Sequence, residues 1–230
     1  MSTWEIIKQL DAKDEIKSAI AHGWNDRARR FTDKKTGKFL SQNQVKSVLN
    51  DGISTGKNKL QDLATSLSSG KIDITKFLIE SSQTIKELHI LNSVLAVGGR
   101  ADQMTIGQKT ALQNRVKEQL TGGKDPITKE KYGFNFLIRD LVNGEISELQ
   151  LKNRISMFAG SAELTQHHIQ KESKIDNGMT EGFRQLGSTD KHCLECINYG
   201  AMGWTKIEDL IMPGSSCSCF SNCKCSIIYR

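Results

Sequence analysis

All six cysteines of this chain lie between Cys193 and Cys225, and none precedes them. So abrupt a shift in composition marks a boundary near Gly187-Ser188. It predicts a body over residues 1–187 and a Cys-rich tail over 188–230, too small to be held by an apolar core alone. The tail reads His192-Cys193-Leu194-Glu195-Cys196 and then, about twenty residues later, Cys217-Ser218-Cys219, Cys223 and Cys225. A Cys-x-x-Cys loop presents two thiolates to one metal ion, and a later pair completes a tetrahedron. Side chains two apart on a strand point the same way, so Cys-x-Cys suits a hairpin. Ala201 to Trp204, Ile207, Leu210 and Ile211 are expected to fold over the site, and Pro213-Gly214 to turn the chain back.

Zinc is the first expectation for thiolates in a reducing cytosol. Disulfides are the alternative, since the cysteine number is even and a small tail needs a staple. With six cysteines and His192 there are more candidate ligands than one zinc requires; His192 is read as a ligand or as a hydrogen-bond donor to one.

The body reads as helices. Hydrophobic residues are 37% of the chain and aromatics only 6%, which predicts modest cores and an extended or partner-dependent shape. Segment 3–22 carries Ile6, Ile7, Leu10, Ile16 and Ile20 at helical spacing. Asn25 to Ser41 is polar, with a turn at Thr36-Gly37-Lys38, and is expected to be a loop. Ser41 and Gln44 form a capping-box pattern ahead of a helix through Leu49, Leu60, Leu63 and Leu67, which Gly52 and Gly56 should weaken. Asp73 caps a helix to about Val97, stopped by Gly98-Gly99. Thr105 and Gln108 open another that ends at Gly122-Gly123. Residues 127–142 are expected to be helical. Ser147 and Gln150 open the last long helix, to about 172 or, with a break near Gly178, to Leu186. Leu67–Ile72 resembles Leu141–Ile146, each a helix end, Gly, charge and Ile, and is read as a common way to join two helices. The fold class expected is therefore mainly α: an extended helical body with a small C-terminal Cys-rich, zinc-knuckle-like β-hairpin module.

Several function classes find no support. No Gly-x-Ser-x-Gly or His-Glu-x-x-His pattern occurs. Gly52 to Lys57 has too short a glycine spacing for a phosphate loop, and Asn58 stands where Ser or Thr is needed. His167-His168 diverge by about 100° on a helix and are expected at the surface. His89 is expected to be packed or exposed. Glu195 lies inside the Cys-x-x-Cys loop, unlike a deaminase glutamate. No catalytic residue is assigned and no enzyme is expected. The net charge of +6 comes from the first 187 residues, with one local run at Arg27, Arg29 and Arg30; the tail balances Lys191, Lys206, Lys224 and Arg230 against Asp190, Glu195, Glu208 and Asp209. No run approaches the ~18 apolar residues of a membrane span. Lys8, Asp11, Lys13, Asp14, Glu15 and Lys17 interrupt any signal-peptide apolar region, so synthesis in the cytoplasm is expected.

His192-Cys193-x-x-Cys196, Met202-Gly203-Trp204, Pro213-Gly214, Cys219, Cys223, Cys225 and Tyr229-Arg230 together resemble the C-terminus of minor head proteins of tailed bacteriophages, the phage head morphogenesis or Mu F-like proteins. Arg30 to Phe39, Gly98 to Thr105 and Phe158 to Ala162 extend the likeness over roughly residues 29–230. Cys217 is extra to the pattern and is set aside, which leaves Cys193, Cys196, Cys219, Cys223, Cys225 and His192 as metal candidates. Lys191 stands where the pattern has Asp, and the chain would be a compact member. The resemblance implies a virion structural protein, made in the bacterial cytoplasm and placed in the head or neck. Its implied partners are portal or capsid proteins and copies of itself in a symmetric ring, with nonspecific contact to packaged DNA and none to membrane. A head-to-tail connector and a zinc-tailed nucleic-acid-binding protein are the other readings.

Overall fold

The computed structural model describes residues 22–25, 27–28, 30–33, 35–97, 104–124, 131–188, 191–215, 217–219 and 223–230. The helix expected over 3–22 lies outside these, apart from His22, which begins a strand. The protein is mainly helical, with a few short strands and a C-terminal cysteine cluster.

The segment expected as a loop contains a hairpin. Strand β1 (His22–Asn25) pairs antiparallel with β2 (Arg30–Asp33), with Trp24 opposite Phe31. Asp33 Oδ1 then accepts from the backbone N–H groups of Lys35 (2.8 Å) and Thr36 (2.7 Å), which forms the expected turn. The short strands lack a clear hydrophobic alternation, so the polar composition hid them.

Five helices build the body: α1 (Gln42–Ser68), α2 (Ile74–Ala96), α3 (Ile106–Thr121), α4 (Phe134–Val142) and α5 (Glu148–Asp176). Four of the five N-termini lie where the capping residues predict, that of α4 being the exception. Reciprocal boxes form at Ser41/Gln44, Thr105/Gln108 and Ser147/Gln150, and Asp73 accepts from Lys76 N–H at 2.7 Å. Each cap satisfies donors the helix cannot and is worth about 1 kcal/mol. The repeated joint is the same device twice: Gly70 (φ 71°) and Gly144 (φ 69°) take the left-handed conformation after α1 and α4.

Helix α5 is the spine, packing on α1, α2, α3 and α4. Leu60, Phe77, Ile85, Phe134, Leu151 and Ile155 form the main core, and Ile90, Leu112, Val116 and Ile169 a second one. Gly52 and Gly56, expected to weaken α1, are contact points. A Cβ on Gly52 would lie 2.5 Å from Leu91 Cδ2, and one on Gly56 would lie 2.5 Å from Leu88 Cδ2. The glycines let α2 approach α1 closely enough to seat two leucines.

Between α2, α3 and α5 lies a buried polar bolt. His89 bonds through Nδ1 to Thr165 Oγ1 (2.5 Å) and through Nε2 to Gln119 Oε1, while Gln119 Nε2 donates to the Phe158 carbonyl at 3.2 Å. Because the Gln119 amide nitrogen is committed to that carbonyl, its oxygen faces His89. The proton therefore sits on Nε2, and Nδ1 accepts from the Thr165 hydroxyl. Burial lowers the His89 pKa from 6.5 to about 4, so the ring is neutral. His89 is thus packed.

The helix expected over 127–142 starts only at Phe134. Lys131–Tyr132 form strand β4, antiparallel to β3 (Gly123–Lys124), and Gly133 at φ 116° ends any helical path from upstream; residues 125–130 lie outside the described set. Helix α5 stops at Asp176 and does not reach Leu186. Residues Glu181–Gln185 form β5, the centre of a sheet with β6 (Thr205–Lys206) and β7 (Ser226–Tyr229), in the order β6-β5-β7 and all antiparallel. The tail's sheet thus begins upstream of Gly187-Ser188. Among the described residues no helix is long and apolar enough to cross a membrane.

Candidate metal centre

Helix α6 (Leu194–Ala201) carries the first two sulfurs. Cys193 is its N-cap in extended conformation and Cys196 lies in its first turn. The backbone thus turns both sulfurs toward the positive end of a helix, where thiolates are favoured. The Cys-x-x-Cys loop therefore opens a short helix. Cys217 and Cys219 follow the Pro213-Gly214 turn, and Cys223 and Cys225 lead into β7. Gly187, just after β5, lets that loop press close: a Cβ there would sit 2.2 Å from the Lys224 carbonyl oxygen.

These segments bring all six sulfurs together. Cys193, Cys196, Cys217 and Cys219 lie mutually within 4.8 Å, as do Cys196, Cys223 and Cys225. The shortest sulfur separations are 3.3 Å (Cys217–Cys219), 3.4 Å (Cys193–Cys219), 3.5 Å (Cys196–Cys219) and 3.7 Å (Cys196–Cys223). None is a disulfide. A tetrahedron of sulfurs about 2.3 Å from a central ion has edges of about 3.8 Å, close to the observed spacing. Cys196, Cys217 and Cys225 are buried, with Tyr199 packed alongside. Cys217, set aside in the sequence reading, is in the four-sulfur group. Spacing to the motif made it look extra, but the turn after Pro213-Gly214 brings it in beside Cys219. His192 is half-buried and belongs to neither group.

Crowded sulfurs cannot all ionise without a cation. Cys223 is driven toward thiolate, chiefly by a hydrogen bond from Cys217. Cys217 is held protonated by that bond and by burial, and Cys196 by burial and its sulfur neighbours. A bound cation would remove this conflict by stabilising every thiolate at once. The donor set, all sulfur and largely withdrawn from water, is compatible with a metal ion.

One residue beside the candidate site escaped the sequence reading. On β5 the side chains alternate: Phe183 packs on Trp204, with ring centroids 5.8 Å apart, while Arg184 points to the opposite face. Arg184 is only 1% exposed. Its guanidinium lies 5.0 Å from the Tyr199 ring centroid, and Nη2 donates to Cys223 Sγ at 3.6 Å. Its Nε and Nη1 have no hydrogen-bond partner among the described residues. A buried cation requires a nearby anion, and the sulfurs are what it faces. Nothing in the local sequence marks Arg184, because only the strand pairing aims it at the cysteines.

Helix α5 reaches the same region. Lys171 Nζ donates to the Glu208 carbonyl at 3.1 Å. His167 is kept neutral by burial, against the pull of nearby Cys223, and His168 is held at about 3 by burial and by Arg115. Both residues are half-buried where a surface position was expected. Glu195 Oε2 accepts from the Ser218 hydroxyl at 3.0 Å and so ties α6 to the cysteine loop. No family model, curated protein or solved structure matches the chain.

Proposed function

We propose that the chain is a structural protein of a tailed-phage virion, a minor head component at the portal vertex acting in head assembly or genome delivery, with zinc as the structural metal of its tail. The observation that carries the structural role is the all-sulfur donor set. Thiolate-only sites are closed and rigid, while catalytic zinc sites keep an exchangeable position beside a carboxylate or histidine. Thiolate softness and near-tetrahedral spacing favour zinc in a reducing compartment.

The virion role rests on the tail motif. His192-Cys193-x-x-Cys196, Met202-Gly203-Trp204 and Cys219, Cys223 and Cys225 occur in the order found in minor head proteins. The tail surface supports contacts with protein: Leu194 is 69% exposed, Met202 59% and Ile197 46%, all on or just after α6. Portal or capsid subunits, or further copies of this chain, are the partners proposed for it.

The test is quantitative mass spectrometry of purified particles of the encoding phage, with copies counted against the major capsid protein. About six or twelve copies per particle are expected for a vertex component. Absence from particles, with the protein free in the infected cell, would remove the virion role.

A further inference from the structure

A single tetrahedral ion accounts for four sulfurs, and this cluster has six. If one ion takes the mutually close set Cys193, Cys196, Cys217 and Cys219, then Cys223 and Cys225 remain. They are not bystanders. Both lie within 4.8 Å of Cys196, whose sulfur is 3.7 Å from that of Cys223. Cys225 is buried.

Arg184 shows where negative charge is required. Its buried guanidinium donates to Cys223, which lies outside the four-sulfur set. Its Nε and Nη1 have no hydrogen-bond partner among the described residues, and the sulfurs are what the cation faces. The second group of sulfurs has the spacing of a metal site, as the first does, and a buried cation lies beside it to balance its charge.

The connectivity supplies the arrangement. Two tetrahedra that share an edge have six corners, so two ions with two bridging thiolates use six cysteines with none left over. Cys196 belongs to both groups and is one bridge. Cys219, 3.5 Å from Cys196 and also against Cys193 and Cys217, forms the shared edge with it. We propose that the tail holds a two-metal, six-thiolate cluster. Cys196 and Cys219 bridge, Cys193 and Cys217 complete one ion, Cys223 and Cys225 complete the other, and Arg184 neutralises part of the net negative charge. This rests on the reading of the cysteines as a metal site and is independent of the virion role.

The experiment uses the full-length chain, purified under reducing conditions and dialysed against a weak chelator to strip loosely held ions. Zinc per chain is measured by elemental analysis and by native mass spectrometry. Cobalt titration of the metal-free chain reports the same number through thiolate-to-metal charge-transfer absorbance. Two zinc ions per chain, with a cobalt break at two equivalents, are expected. One ion per chain overturns the two-metal cluster and leaves a single-metal site. No ion, with every thiol freely titratable or oxidised in pairs, overturns the metal reading itself. In C225S one ion is expected to be lost and the other kept; an unchanged count in a folded C225S chain would also overturn the proposal. The wild-type count decides even if the variant does not fold.

Discussion

The buried His89 makes acid a specific perturbation of the helical body. Its pKa falls from 6.5 in the unfolded chain to about 4 in the fold, because the ring is wholly withdrawn from water between Thr165 and Gln119. Between those two values the unfolded chain binds a proton that the folded chain refuses. The contribution is therefore fully present above pH 6.5 and lost as the pH falls toward 4. Linkage gives a loss of about 2 kcal/mol at pH 5 relative to pH 7, rising to about 3 kcal/mol by pH 4. Urea unfolding at pH 7 and pH 5 should show this loss, and H89Q should remove it. The variant still offers hydrogen-bonding groups to Gln119 and Thr165 but does not titrate. Other groups, including any acid release of metal from the tail, act on both proteins, so the difference between their pH slopes isolates His89. Ring resonances of His89 that stay at their neutral positions down to pH 5 would report the same property directly. Equal pH slopes in wild type and H89Q, or a His89 ring that titrates near 6.5, would refute the reasoning.

Three further outcomes are expected. G56A should lower stability by about 1–2 kcal/mol, because overpacking against Leu88 outweighs the ~1 kcal/mol helix-propensity gain; thermal melts check it, and a stabilised variant would contradict the close approach of α1 and α2. Removing metal with a strong chelator should abolish hydrogen-exchange protection in β5, β6 and β7 while α1 and α5 keep theirs; uniform loss across the chain would show that the tail does not respond as a separate unit. R184M should weaken metal binding by about 10–100-fold in a competition titration, through loss of the positive charge beside Cys223; unchanged affinity would show that the guanidinium does not interact with the cluster.

Much of the body was legible because its signals are local. Ser41, Asp73, Thr105 and Ser147 each mark a helix start by the side chain that satisfies the first turn, and Gly70 and Gly144 mark stops by backbone conformation. What was missed depends on tertiary partners. Gly52 and Gly56 read as weaknesses until α2 lies against them. His167 and His168 read as surface residues, yet both are half-buried in the fold.

The cysteine cluster was legible from spacing, but its membership was not. Motif spacing set Cys217 aside, while folding returns it beside Cys219 at 3.3 Å. Arg184 lies upstream of the composition boundary, so a division at Gly187-Ser188 separates it from the site it serves. Only the pairing of β5 with β7, Arg184 opposite Ile227, brings that side of the strand to the cysteines.

The central claim is that the six sulfurs form one metal–thiolate centre. X-ray absorption spectroscopy at the zinc edge on the purified full-length chain tests it most directly. The account predicts a first shell of four sulfurs at about 2.3 Å with no nitrogen or oxygen neighbour. A mixed shell containing nitrogen or oxygen, or a zinc-free protein whose cysteines map as disulfides, would contradict it.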